Sequence, residues 1–171
     1  MPCRPSGDPG VIGPLAAVAT AALAAAASAV SGVGAPPAGS HRHDSPAHRP
    51  PPVAVRVAST QYGHALVDRR GFALYQFTRD GGPRSTCSGA CAAAWPPYIV
   101  ARGRVGAADG ARQRLIGTTR RADGRLQVTY RSHPLYYYVG DRRPHQVLCQ
   151  AVREFGGDWY VVAPDGRAIT Q

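Results

Sequence analysis

The chain has 171 residues, with 20 Gly, 16 Pro, 20 basic and 10 acidic residues, and a formal net charge of +10. Every basic residue is Arg, and there is no Lys. This length accommodates one domain, or one domain and a tail, and 44% apolar against 18% charged residues excludes wholesale disorder and a multi-span membrane protein.

A charge of this size points first to nucleic acid. An Ala/Gly/Pro/Arg-rich, Lys-free composition is also what a GC-biased genome produces, and that lowers the weight of the charge. The aromatic residues divide the chain more sharply, because all of them lie at or after Tyr62. Val11 to Gly34 is a nearly uninterrupted run of small apolar residues, with Arg4 and the free amino terminus upstream. It reads as a secretory signal, and Ala27-Ser28-Ala29 places the cut after Ala29, so residues 1–29 are the expected signal peptide. The other reading is an uncleaved anchor of about 20 residues, and only that reading gives the protein a membrane association. Residues 30–52, rich in Pro, His and Arg, show no hydrophobic period and read as a disordered linker, with His41, His43 and His48 solvated. The folded part is residues 53–171. An exported domain does not meet cellular DNA or RNA, so no nucleic-acid partner is expected.

Within that part the pattern is all-β or mainly β. Val53, Val55 and Val57 alternate with Ala54, Arg56 and Ala58. Tyr62 to Val67 leads through Asp68-Arg69-Arg70-Gly71 into Phe72 to Thr78 as a predicted hairpin. Arg114 to Thr119 and Arg125 to Tyr130 flank Asp123-Gly124, a turn dipeptide suited to positive φ. Leu135 to Val139 and Trp159 to Ala163 complete the strands, the last closed by Pro164-Asp165-Gly166. Ser88 to Ala94, around the two cysteines, is the one stretch with the character of a short helical turn.

Two segments repeat each other. Leu74 to Asp80 and Leu135 to Asp141 share the pattern L-Y-x-(F/Y)-x-x-D, and each is followed by a loop and a Trp, Trp95 or Trp159. Tandem repeats over about 61–100 and 115–166 follow, built as hairpins or meanders that share one small barrel- or sandwich-like core. Tyr75 with Phe77, and Tyr136 with Tyr138, point to one face of their strands. They are expected to build the core together with Trp95, Trp159 and Tyr160, because a domain with so few Phe must use Tyr and Trp for that purpose; the alternative is a ligand-stacking platform. Asp80 and Asp141 are expected to cap turns. A catalytic carboxylate pair is the competing reading, but duplication alone accounts for two Asp.

These copies, Ser85 to Cys91 running into Trp95-Pro96-Pro97, Gly124 to Tyr130 leading to Pro134-Leu135-Tyr136, and Glu154 to Tyr160 together resemble a bacterial secreted-repeat lipoprotein family with a Y-x4-D motif. The resemblance covers about Gln61 to Gly166. It implies an extracytoplasmic, often lipid-anchored protein of the bacterial cell envelope whose activity is uncharacterised. The chain departs from the family at two places. No Cys closes the apolar run for acylation, Cys3 lying far upstream. Cys149-Gln150-Ala151 stands where similar sequences tend to have Gly-Gln-Gly, an alteration that matters if the loop needs positive φ.

Cys87 and Cys91, separated by Ser-Gly-Ala, are candidates for a disulfide that pins the segment delivering Trp95. Cys149 is left as a buried small hydrophobe, an exchange partner or a site of intermolecular pairing. The alternative is a copper or thiol-redox protein, with Cys87 and Cys91 as soft ligands beside His133, His64 or His145. Nucleophile-elbow, HExxH and P-loop signatures are missing, so no enzymatic activity and no cofactor are expected. The favoured function is a non-enzymatic module that binds an anionic envelope polymer or a protein partner through Arg and exposed Tyr.

Overall fold

The computed structural model describes residues 53–101 and 105–170. The expected signal (1–29) and linker (30–52) lie outside the described residues. Among the described residues no helix is long and apolar enough to cross a membrane.

The domain is mainly β, as the alternation predicts, in three sheets that do not close a barrel. β1 (Val53–Thr60) pairs antiparallel with β2 (Gly63–Asp68) and parallel with β5 (Val105–Ala107). β3 (Tyr75–Phe77) lies beside β10 (Gly157–Val161), which also pairs with β9 (Val152–Glu154). β7 (Leu126–Tyr130) is flanked by β4 (Ile99–Val100) and β6 (Ile116–Arg120), and also pairs with β8 (His133–Pro134). One short helix, α1 (Ala90–Ala94), occupies the expected segment after Cys87.

Several expected strands change partner. The first hairpin is β1 with β2, turning at Gln61-Tyr62, and the expected pairing of residues 62–67 with 72–78 forms only next to its turn, where Val67 bridges Ala73. The chain does fold back after Asp68, with Asp68 N–H donating to Phe72 O at 2.9 Å and Leu74 N–H to Leu66 O at 3.0 Å. Tyr75–Phe77 then leaves this hairpin and pairs with β10, at the far end of the sequence. Leu135 to Val139 is not a continuous strand: it contributes single bridges, from Tyr136 to Tyr75 and to Pro97. The D-G turn forms as expected, with Gly124 at φ 81 and the Asp123 carboxylate accepting from Arg125 N–H at 3.0 Å.

Adjacent residues of the inner strands face opposite ways, and two hydrophobic clusters result where one was expected. The first contains Tyr75, Phe77, Cys87, Cys91, Trp95, Tyr136, Cys149, Trp159 and Val161. The second contains Val55, Leu66, Leu74, Tyr98, Val128, Tyr130, Leu135 and Val162. Both draw on both repeats, so neither repeat owns a core of its own.

Candidate functional site: the interlocked repeat motifs

The repeat motif lies at the centre of the first cluster, and its residues meet in reciprocal pairs. Tyr75 N–H donates to Tyr136 O and Tyr136 N–H to Tyr75 O, both at 2.9 Å. The Tyr75 hydroxyl donates to Asp141 Oδ2 at 2.7 Å, and the Tyr136 hydroxyl to Asp80 Oδ2 at 2.6 Å. Each tyrosine therefore reaches the aspartate of the other repeat. The rings obey the same rule. Trp95 and Trp159 stack on each other at 4.1 Å, Phe77 stacks on Trp159 at 4.1 Å, and Tyr138 tilts against Trp95 at 4.8 Å. Within each repeat, Tyr75 meets Trp95 edge-on at 5.2 Å and Tyr136 meets Trp159 edge-on at 5.1 Å. A pseudo-twofold axis thus passes between Tyr75 and Tyr136. The backbone follows it: Leu66 N–H donates to Val162 O at 2.7 Å, and Val128 N–H donates to Tyr98 O at 2.8 Å. The last strand of each repeat is built into the hairpin of the other.

Asp80 and Asp141 accept backbone N–H bonds, as expected of turn caps, from Thr86 at 2.7 Å and Leu148 at 2.9 Å. Their second role, receiving a tyrosine hydroxyl 56 or 66 residues away, has no local sequence signal. Burial raises both carboxyls above the usual carboxylate range, and the tyrosine and backbone donors restrain that rise. Burial, reinforced by the facing carboxylate, likewise pushes both phenols far above their ordinary range. The phenols therefore stay protonated near neutrality and act as hydrogen-bond donors to the two carboxyls. Both indole N–H groups turn to one residue, Trp95 to Glu154 Oε2 at 3.0 Å and Trp159 to Glu154 O at 3.3 Å. Further polar contacts cross between repeats. Buried Arg121 donates to Ser85 Oγ, Gln127 Oε1 and Cys87 O at 2.6 to 2.7 Å, and Gln61 Nε2 donates to Val147 O at 2.9 Å. Arg121 had no distinguishing mark among so many arginines.

Of the expected aromatic core residues, Tyr75, Phe77, Trp95, Tyr136 and Trp159 are buried and Tyr138 packs at the margin of their cluster. Tyr160 is different: it is half-buried and belongs to neither cluster, because strand alternation turns it away from Trp159. Cys87 and Cys91 are joined by a disulfide with Cα atoms 5.3 Å apart. The Trp95 N–H donates to Cys91 O at 2.7 Å, so the bridged segment does deliver that indole. Cys149 is buried in the same cluster, at the position in repeat 2 that corresponds to Cys87. The proposed ligand set of Cys87, Cys91 and His133 is not assembled. The two sulfurs are bonded to each other, and among the described residues no three His, Cys, Asp or Glu side chains gather as a metal site would require.

A model of one family matches the chain twice, over residues 56–98 and 117–163, more than half of its length. The chain belongs to this family, described as a secreted repeat of unknown function. No curated protein and no solved structure matches it. Both matched segments of the secreted repeat begin in a hairpin, β1 with β2 or β6 with β7, and run a few residues past the Trp. They end beside Tyr98 and Val162, whose carbonyls accept from the hairpin of the opposite repeat.

Proposed function

We propose that this secreted repeat is a non-enzymatic extracytoplasmic module that binds an anionic polymer of the cell envelope through its surface arginines. The observation that carries the reading is how the described carboxylates are used. Asp68, Asp80 and Asp141 are buried and accept hydrogen bonds from turns and tyrosines. Glu154 holds the indoles, and Asp109, Asp123, Asp158 and Asp165 each pair with an arginine beside them. Exposed Arg69, Arg84, Arg112, Arg114, Arg142 and Arg143 have no carboxylate partner among the described residues. The carboxylates are thus either buried or paired with an adjacent arginine, and the unpaired charge left at the surface is positive. The motif residues that a catalytic reading would use are engaged with one another beneath the surface, which supports a binding role over a chemical one.

Retention on isolated cell walls tests this. Strong retention in low salt that falls steeply above about 0.15 M, where the screening length is ~8 Å, is the expected result. Retention unchanged by salt overturns the electrostatic reading.

A further inference from the structure

The outward arginines are not evenly spread, and the internal repeat supplies a control for judging them. The turn Asp68-Arg69-Arg70-Gly71 in repeat 1 and the loop Asp141-Arg142-Arg143-Pro144-His145 in repeat 2 dock against each other. His145 N–H donates to Gly71 O at 2.7 Å. Gly71 has φ +90, and a Cβ there would lie 2.9 Å from Pro144 Cβ, so the close approach of the two loops depends on glycine. This contact brings two Arg-Arg pairs onto neighbouring loops, with exposed His145 beside them.

Both acids of these loops face inward. Asp141 receives Tyr75 and Leu148 N–H. Asp68, with a side chain only 6% exposed, receives Arg70 N–H, Phe72 N–H and the Tyr137 hydroxyl. Arg70 is set in place as well: its Nε lies 3.2 Å from Asp68 Oδ2 and its guanidinium sits over the Phe72 ring at 4.9 Å. Arg69 O accepts from Arg56, a further cation at the edge. The repeat-equivalent positions are different. Asp141-Arg142-Arg143-Pro144-His145 corresponds to Asp80-Gly81-Gly82-Pro83-Arg84, and Arg69-Arg70 to Arg131-Ser132. Genome bias alone loads equivalent loop pairs alike; here the docked pair, one loop from each repeat, has four arginines and the repeat-equivalent pair has two.

We propose that the ridge formed by Arg69, Arg70, Arg142 and Arg143 is the binding site of this module, and that its ligand is a polymer carrying repeated phosphate groups. The proposal rests on the anionic-polymer reading above and locates it. Phosphate fits because its tetrahedral oxygens accept guanidinium forks arriving from two loops at once, and arginine presents such forks in fixed geometry.

The test is a titration of the full chain with long-chain inorganic polyphosphate at several salt concentrations. The variant Arg69→Gln/Arg70→Gln/Arg142→Gln/Arg143→Gln is expected to bind at least about tenfold more weakly than the parent. Its slope of log affinity on log salt should be shallower by about 0.7 per lost contact, as for single-stranded polyanions. The control Arg84→Gln/Arg112→Gln/Arg114→Gln/Arg131→Gln loses the same formal charge and should stay within about threefold of the parent, as expected when only diffuse, screened attraction is removed. If the fourfold ridge variant fails to fold, Arg142→Gln/Arg143→Gln replaces it, since neither guanidinium has a partner among the described residues, and its binding must still fall below that of the control.

Equal losses in ridge and control variants overturn the ridge while leaving diffuse anion binding intact. A parent protein that ignores polyphosphate yet is held on cell walls in a salt-dependent way overturns the ridge's phosphate ligand alone. Failure of both assays overturns the general reading too. Ridge-dependent binding that is tighter for polygalacturonate, a carboxylate polymer, than for polyphosphate overturns the phosphate assignment.

Discussion

Around the pseudo-dyad the two repeats are chemical near-copies, whereas the loops that leave it have diverged. At the centre, Tyr75 and Tyr136, Trp95 and Trp159, and Asp80 and Asp141 make the same contacts in both directions. At the periphery, Arg142-Arg143 stands opposite Gly81-Gly82 in the repeat alignment. The difference separates two kinds of constraint. A residue at the centre must match its counterpart because each is the other's partner, and a change in one copy leaves a group unpaired in the other. Loop residues have no such obligation and are the part of the molecule where a specific activity can develop. The family motif therefore marks the interlock that makes the fold, and the ligand is to be sought in what the motif leaves free.

The largest effect should come from separating the copies. The exposed turn at Asp109-Gly110 follows the last strand of the first half, so a chain divided after Gly110 gives one piece with β1 to β5 and another with β6 to β10. Each piece lacks the strand that the other inserts into its hairpin, and neither retains a complete cluster. We expect each piece alone to show no cooperative unfolding and an equimolar mixture to regain the β spectrum of the whole. A piece that unfolds cooperatively by itself would show that the repeats are separable units. Residues 53–171 already form a small domain, and half of that buries too little surface to offset its chain entropy.

What the sequence disclosed follows from the range of the interactions involved. The duplication, the aromatic core, the Asp123-Gly124 turn and the Cys87–Cys91 bridge are encoded within a few residues and are legible. The exchange of Tyr–Asp partners between repeats is not, because the spacing from Tyr75 to Asp80 suggests a local pair and nothing nearby says that the acceptor is Asp141. The same ambiguity explains why the expected hairpin is cut short, since Phe72 to Thr78 has the pattern of a strand but not the identity of its neighbour. β5 was missed because Val105-Gly106-Ala107 is three residues long and pairs parallel at a sheet edge, where alternation has no room to show. The docking of the two arginine-bearing loops is not legible either, because no local pattern places His145 against Gly71.

An intermediate effect should come from the two phenols, and here the pseudo-symmetry itself is tested. Tyr136→Phe leaves Asp80 with both Thr86 donors, N–H and hydroxyl. Tyr75→Phe leaves Asp141 with only Leu148 N–H among the described hydrogen bonds. A hydrogen bond to a charged group contributes about 1.5 to 3 kcal/mol, so both variants should lose stability, and Tyr75→Phe should lose more. The sign of the pH dependence follows from the raised carboxyls. A folded-state carboxyl above its unfolded value takes up a proton before the unfolded chain does, so as pH falls through the folded pKa the folded form gains. Removing the Tyr75 donor raises Asp141 further. The deficit of Tyr75→Phe in urea denaturation should therefore be greatest near neutrality and shrink on mild acidification, with Asp141→Asn removing that pH dependence. Equal losses at all pH values would show that the hydroxyls pack without bearing on the charge.

The smallest effect should be a gain, at Ala151 in repeat 2, where the resemblance leads one to expect glycine. Ala151 has φ 54, a left-handed conformation that L residues with a Cβ adopt at a cost of about 1 to 2 kcal/mol. The conformation is imposed from both sides: Gln150 Oε1 accepts from Val161 N–H at 2.9 Å and its Nε2 donates to Ile169 O, which fixes the chain on the near side, and β9 begins at Val152. Glycine removes the steric penalty but enlarges the unfolded ensemble, so the net expectation for Ala151→Gly is a stabilisation of about 0.5 to 1 kcal/mol. Ala93→Gly, on the exposed side of α1, supplies the opposite sign, with a loss of about 1 kcal/mol because the helical backbone gains nothing from the added freedom. A shift of the urea midpoint upward for the first and downward for the second would establish that the loop carries real strain. Two losses of equal size would mean that the loop relaxes around Ala151 and that the departure from glycine is without consequence for the fold.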